Sequence, residues 1–241
     1  MERKDFLKKG LGLIGVSSVI IDACKKDGLN DSDVLTSVSE DLSTESCIVS
    51  PGETEGPYPY PGGEKNNPLN RVDVTEGKPG LPLYLTFSVV NTNDNCNLVS
   101  GARVDIWHCD RDGYYSGYKQ NGYLGNKDLT GQTFMRGYQI TDANGQCKFT
   151  TIYPGWYPGR ATHIHIEVFI NGVLKKTTQI AFPDKANKKV YTTAGYTAHG
   201  QNPTNNLADS VFVNSLASEL ATIDSYSAAG VHVSYQIGIA L

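Results

Sequence analysis

The sequence predicts an all-β fold: an antiparallel β-sandwich with long loops and one short C-terminal helix. Three observations predict it. Several runs alternate apolar and polar residues with period two, the pattern of a half-buried strand. Asn144-Gly145 and Asn171-Gly172 punctuate those runs where a tight hairpin needs positive φ angles. Between the central runs no helical periodicity intervenes, so neighbouring strands pair directly rather than through crossover helices.

The chain has 241 residues, a net charge of −4 and 39% hydrophobic residues. That length suits one large all-β domain, and the composition is enough for a core but far from membrane-like. The acidic balance lacks the basic patch of a nucleic-acid binder, so no nucleic-acid partner is expected. Plentiful glycine (25), proline (11) and tyrosine (14) fit many short strands joined by turns.

Residues 1–24 read as an export segment. Arg3, Lys4, Lys8 and Lys9 form a positive start, and Gly10 to Ile21 form an apolar stretch too short to span a bilayer comfortably. Ala23-Cys24 follows, as in a bacterial lipoprotein signal in which Cys24 is lipidated and attaches the protein to the membrane. An ordinary cleaved signal peptide and a twin-arginine-like signal are the competing readings. All place the protein outside the cytoplasm, periplasmic or anchored to the cell envelope. Residues 25–46, rich in Asp, Ser and Glu, read as a flexible polar tether. Residues 47–241 form the domain. Its cysteines, Cys47, Cys96, Cys109 and Cys147, are even in number, which in an exported protein predicts two disulfides with three possible connectivities; buried free thiols are the alternative.

Taken in order, Cys47 to Gly63 cannot be helical, because four prolines and repeated glycines interrupt it. It reads as an extended loop laid over the domain, walling a pocket or packing as a surface turn. Leu81 to Val90 is a strand with Leu81, Leu83, Leu85, Phe87 and Val89 on one face. Ala102 to His108 follows, with Val104, Ile106 and His108 on one face and Arg103, Asp105 and Trp107 on the other. Phe134 to Thr141, Lys148 to Tyr153 and Val173 to Phe182 are further strands. The segment from Pro183 to Asn206 reads as loop. Leu207 to Ile223 reads as the one helix, from Val211, Leu216, Leu220 and Ile223, and Val231 to Leu241 as an edge or closing strand.

The chemistry concentrates in Tyr157-Pro-Gly-Arg160-Ala-Thr-His163-Ile-His165. On a strand, His163 and His165 point to one side, and Ile164, Ile166 and Val168 to the other. Two imidazoles on one face, with a tyrosine and an arginine just upstream, predict a metal centre beside an anion site. Tyrosine binds as phenolate only to a strongly charged cation, because the free phenol has a pKa near 10. Hard oxygen donors of this kind suit a ferric ion. His108, His199 and His232 lack partners at ligand spacing and read as structural or surface residues; Trp107 reads as core. Glu167 shares the histidine face.

Six motifs carry a resemblance: Thr54-Glu-Gly-Pro-Tyr58, Gly101 to His108, Asp112-Gly-Tyr-Tyr-Ser116, Arg136 to Asp142, Tyr153-Pro-Gly-Trp-Tyr157 and Arg160 to His165. Together, from about Cys47 to the end, the chain resembles the intradiol ring-cleavage dioxygenases, the family of catechol 1,2-dioxygenase and protocatechuate 3,4-dioxygenase. The resemblance implies a sandwich of immunoglobulin or transthyretin type. It implies one non-haem Fe(III) held by Tyr115, Tyr157, His163 and His165, with Tyr114 the adjacent competitor for the first position. It also implies catalytic roles for Arg160, Gln179 and Tyr157, the last as the ligand that departs when substrate binds. Pro57 and Tyr58 are expected to line the substrate pocket. The implied reaction cleaves a catechol-type aromatic between its two hydroxyl-bearing carbons, inserting both atoms of O2 to give a cis,cis-muconate-type diacid. The helical N-terminal dimerisation segment of the cytoplasmic members is replaced here by the export segment and tether, as in an exported single-domain branch. The alternative is a non-catalytic exported β-sandwich binding module with a vestigial metal site. A zinc hydrolase fits poorly, because two tyrosines stand where a carboxylate base would be wanted.

Overall fold

A computed structural model describes residues 47–241; the expected export segment and tether, with Cys24, lie outside the described residues. Among the described residues eleven strands are present: β1 (Pro82–Asn91), β2 (Asn97–Leu98), β3 (Arg103–Trp107), β4 (Lys119–Gly122), β5 (Gly125–Asp128), β6 (Arg136–Ile140), β7 (Gln146–Ile152), β8 (His163–Ile170), β9 (Val173–Ala181), β10 (Thr222–Ser227) and β11 (Gly230–Ile239). One sheet runs β10-β11-β1-β2, with β7 also paired to β1; the other runs β6-β3-β8-β9. β4 and β5 make a separate hairpin. Inward residues of both sheets share one core: Leu83, Leu85, Phe87 and Val89 of β1 meet Val104 and Ile106 of β3 and Ile164, Ile166 and Val168 of β8. This is the sandwich that the alternation predicts.

Three expectations need correction. β11 is neither an edge strand nor antiparallel throughout: it lies between β10 and β1 and runs parallel to β1, with Leu83 opposite Val231. A parallel neighbour far along the chain leaves no local sequence mark. The segment after Pro183 is not all loop, because helix α1 spans Asp184–Val190. Pro183 opens it, Asp184 sits in its first turn, and Lys188 and Lys189 complement its C-terminal dipole. The expected helix over Leu207 to Ile223 shrinks to α2, Leu216–Glu219, preceded by a 3-10 turn at Asn206–Ala208. Asn205 caps the Ala208 N–H, and Asp209 accepts from the Val211 N–H. Such local side-chain bonds compete with a continuous helix, and Ile223 is drawn into β10.

The cysteines divide differently from the expectation of two disulfides. Cys47 and Cys96 are bridged. Among the described residues Cys109 and Cys147 are free and buried. Cys147 packs in the main core, and Cys109 packs beside Trp107 and Tyr115, so burial in separate clusters keeps the two thiols apart.

The segment 47–63 is an extended loop, as predicted, followed by a 3-10 turn at Glu64–Asn66, and its stretch from Glu53 to Tyr58 is laid over the open side of the second sheet. The Ser50 N–H donates to Gly238 O and the Glu53 N–H to Thr177 O, while the side chains of Gln179 and Arg136 donate to Thr54 O and Tyr58 O. This strap buries what would otherwise be the solvent face of β8, which is why seven of its eight residues are buried. It passes closest at Gly56, whose φ is 69° and where a Cβ would lie 3.1 Å from His165 Cε1. Glycine is the residue for such a backbone approach.

Candidate metal centre

Antiparallel register sets the site. Trp107 of β3, His165 of β8 and Gln179 of β9 lie opposite one another, as do Asp105, Glu167 and Thr177 one step along. All point to the strap side. His163 and His165 share that side, and Ile164, Ile166 and Val168 fill the core, as the period-two reading predicts. The Trp107 indole stacks on the His165 ring at 4.8 Å and 6°, so this residue is core and also the wall that orients an imidazole.

Two turns bring the tyrosines. Tyr115 lies in the turn after β3, and Tyr157 in the turn between β7 and β8. The turns interlock at Gly113 (φ 85°), where any Cβ would collide with the Trp156 carbonyl oxygen. Tyr115 Oη stands 3.2 Å from both His163 Nε2 and His165 Nε2. Tyr157 Oη stands 3.2 Å from His163 Nε2, and the two Nε2 atoms are 3.1 Å apart. Tyr114 points elsewhere: its hydroxyl donates to Gly125 O and accepts from the Leu124 N–H, pinning the β4–β5 hairpin.

The donor chemistry fits a cation. His163 Nδ1 is 2.6 Å from Ala161 O; a carbonyl only accepts, so Nδ1 carries the proton and Nε2 presents a lone pair. Orienting a ligating imidazole through its other nitrogen is a common arrangement. Burial pushes both imidazoles well below their usual pKa, with Arg160 adding to the effect at His163 and His163 itself at His165. Burial also pushes Tyr115 well above its usual range and Tyr157 up to about 12. His163 Nε2, whose lone pair faces inward, meets His165 Nε2 and two phenol oxygens at 3.1–3.2 Å, so electron-rich atoms crowd one spot. A cation at their meeting point would accept those lone pairs. Among the described residues no group of three or more His, Cys, Asp or Glu side chains is arranged to hold a metal ion. The candidate set is therefore this mixed imidazole and phenol one.

Around the donors, Arg160 directs Nη2 to Gln179 Oε1 and Nη1 to within 3.5 Å of His163 Nε2. Tyr58 stacks on Tyr115 at 4.8 Å, as a pocket-wall residue would, whereas Pro57 is exposed on the strap. Glu167 is buried with its carboxyl raised to about 8 by desolvation, and accepts from the Thr177 hydroxyl, away from the donor set. The remaining histidines are structural. His108 is buried between Cys109 O and Thr151 Oγ1, His199 is stacked between Tyr123 and Trp156, and His232 is stacked on Tyr84. Sequence reasoning missed Asp209, a fully buried carboxylate that accepts from Arg160 Nε at 2.9 Å. It lies in what read as a helix, far along the chain from its partner, and no local signal marks it.

A family model described as Dioxygenase matches residues 54–201. The catechol 1,2-dioxygenase of Acinetobacter baylyi is 29% identical over 161 residues, covering 59% of this chain and 49% of that protein. Catechol 1,2-dioxygenase 1 of Acinetobacter lwoffii is 26% identical, with 45% of that protein covered. The chain thus spans about half the length of the curated relatives it matches. Among solved structures, an intradiol ring-cleavage dioxygenase from Tetranychus urticae superposes with TM-score 0.72 at 28% identity, covering 80% of this chain and 95% of that one. The dioxygenase domain of a dioxygenase–carbohydrate-binding fusion from Streptomyces sp. SirexAA-E gives TM-score 0.57 at 27% identity, covering 80% and 99%.

Proposed function

Because this chain belongs to the intradiol ring-cleavage dioxygenase family, we propose that it cleaves catechol-type aromatics between the two hydroxyl-bearing carbons, inserting both atoms of O2 to give a cis,cis-muconate-type diacid. The observation that carries the proposal is the convergence of Tyr115, Tyr157, His163 and His165 within 3.2 Å contacts on one buried spot. These four would hold one non-haem ferric ion. Bound there, the ion supplies the positive charge that lets a catechol bind as its dianion and become electron-rich enough to react with O2.

The chain's own residues supply the rest. Tyr157 is the half-buried member of the set and sits on a turn, whereas Tyr115, His163 and His165 are fully packed. It is the member free to swing aside and hold a catechol proton on its phenolic oxygen. Arg160 Nη1, 3.5 Å from His163 Nε2, puts a fixed positive charge where negative charge develops on the ring. Gln179 holds the other arm of that guanidinium, and Pro57 and Tyr58 are the strap's contribution to the substrate wall. The strap and the Trp107–His165 stack keep bulk water off the inner donors.

The sequence of residues 1–46 and the Cys47–Cys96 bridge support export to an oxidising compartment. We place residues 1–24 as the export segment, with Cys24 as the candidate lipid anchor, and 25–46 as the tether.

The test is direct. Purified protein should carry one iron per chain, show a tyrosinate-to-iron charge-transfer colour, and take up O2 on adding catechol with release of a ring-opened diacid. A colourless protein holding zinc or no metal, and consuming no O2, would sink the proposal.

A further inference from the structure

The guanidinium of Arg160 is held from behind by a segment outside the family match. Asp209 is fully buried, and one of its oxygens, Oδ2, accepts from Arg160 Nε at 2.9 Å and from the Ala161 N–H at 2.7 Å. Its other oxygen accepts from the Val211 N–H at 2.9 Å, which fixes the carboxylate itself. Nearby, the Asn202 side chain donates to Arg160 O at 3.0 Å, and the Phe212 ring centroid lies 5.8 Å from the Arg160 guanidinium carbon. Asn202, Asp209 and Phe212 all follow residue 201, where the family match ends.

The geometry points to Asp209 as the positioning residue for Arg160. An arginine has five N–H groups in a rigid planar fork, so fixing one edge fixes the direction of the others. With Nε on Asp209 and Nη2 on Gln179, Nη1 is left toward His163 Nε2. The same oxygen pins the Ala161 amide, and the Ala161 carbonyl in turn receives the His163 Nδ1 proton. One carboxylate therefore sets both the fork and the backbone that orients His163. Charge-assisted bonds of this kind are short and directional. The inference rests on the proposed reaction only for its kinetic consequence; the orientation is a property of the chain without metal.

Two measurements separate these parts. In metal-free protein labelled with 15N, the Arg160 Nε–H should give a protected resonance, assigned by its loss in Arg160→Gln. In Asp209→Asn that resonance should shift or broaden by exchange. In iron-loaded protein, Asp209→Asn should lower kcat about 10- to 100-fold, the scale of a misplaced catalytic group, with KM changed less than about threefold and iron content and the charge-transfer band retained. In an Arg160→Gln background the same substitution should lower kcat about fivefold less than it does in the parent, the remainder being carried through Ala161 to His163, because two residues acting as one unit are non-additive. An unchanged Nε–H signal, or an Asp209→Asn effect equally large in the Arg160→Gln background, overturns the inference. So does loss of fold in both Asp209→Asn and Asp209→Ser, which would make Asp209 a structural residue. Absent turnover in the unsubstituted protein would overturn the proposed function instead, and the Nε–H measurement would still decide the role of Asp209.

Discussion

Two buried polar clusters share the strap side of the β6-β3-β8-β9 sheet, and they solve burial in opposite ways. In the first, Arg103 forms a fork onto both oxygens of Asp105 at 2.7 Å, and Arg136 faces Glu64 at 3.7 Å. Arg136 also donates to the carbonyls of Tyr58 and Ser116 at 2.8 Å, stapling the strap to the loop that carries Tyr115. Each charge there has an opposite one. In the second, two imidazoles and two phenols converge, and the charge nearest them is the further positive one of Arg160. Buried polar groups that answer one another hold a fold together; groups that cannot are held for something else. The first cluster is scaffold, and the second is the set we propose to hold an ion.

That contrast can be broken from either side. Removing a donor should leave the scaffold and destroy the chemistry: His163→Ala is expected to lose bound iron and more than about a thousandfold in turnover, since a bound metal supplies several kcal/mol to the transition state. Metal analysis beside a thermal melt checks it; an iron-loaded, active variant refutes the donor assignment. Removing a scaffold charge should do the reverse. Arg136→Ala leaves an ionised Glu64 and two carbonyls without this partner, a loss of about 3–5 kcal/mol for a broken buried pair, read by urea unfolding of the metal-free protein at a pH above the Glu64 value of about 7. A variant as stable as the parent would remove the basis for the comparison.

The smallest effect concerns pH. Burial raises the Glu64 carboxyl to about 7 against the opposing pull of Arg136. Below pH 4.5 the folded and unfolded chains both hold this proton. As pH rises toward 7 the unfolded chain releases it first, so the folded state loses stability across that window. Glu64→Gln, which mimics the protonated form, should therefore gain on the parent by on the order of 2 kcal/mol between pH 4.5 and pH 8. Paired melts at the two pH values measure it, and a difference that shrinks with pH would mean the carboxyl ionises more easily in the fold than outside it.

Much of this contrast was readable from the residues. Period two placed His163 and His165 on one face of β8 and three aliphatic residues on the other, because pleating is a local property. The turn residues located the hairpins for the same reason. Resemblance singled out Tyr115 over Tyr114, and the hydrogen bonds of Tyr114 to the β4–β5 hairpin account for the difference. What was not readable is non-local. Asp209 meets Arg160 across 49 positions of chain, through loops whose course no periodicity encodes. β11 reaches β1 from the far end of the sequence. The helix expected over Leu207 to Ile223 gave way because Asn205 and Asp209 bond their own backbone and Leu220 pairs with Ala181. The cysteine count could not say which thiols meet, and two of them are buried in separate clusters.

The bridge from Cys47 to Cys96 has a mechanical consequence. Cys47 is where the chain enters the domain, and the bond ties it to the turn between β1 and β2, 49 positions further on. Traction arriving along the upstream chain is thus delivered covalently to the rim of the first sheet. The stretch from Ile48 to Gly56 lies beyond that anchor, so the bridge takes load that would otherwise pass along it. The backbone that skims His165 is therefore partly relieved of any pull applied upstream of Cys47.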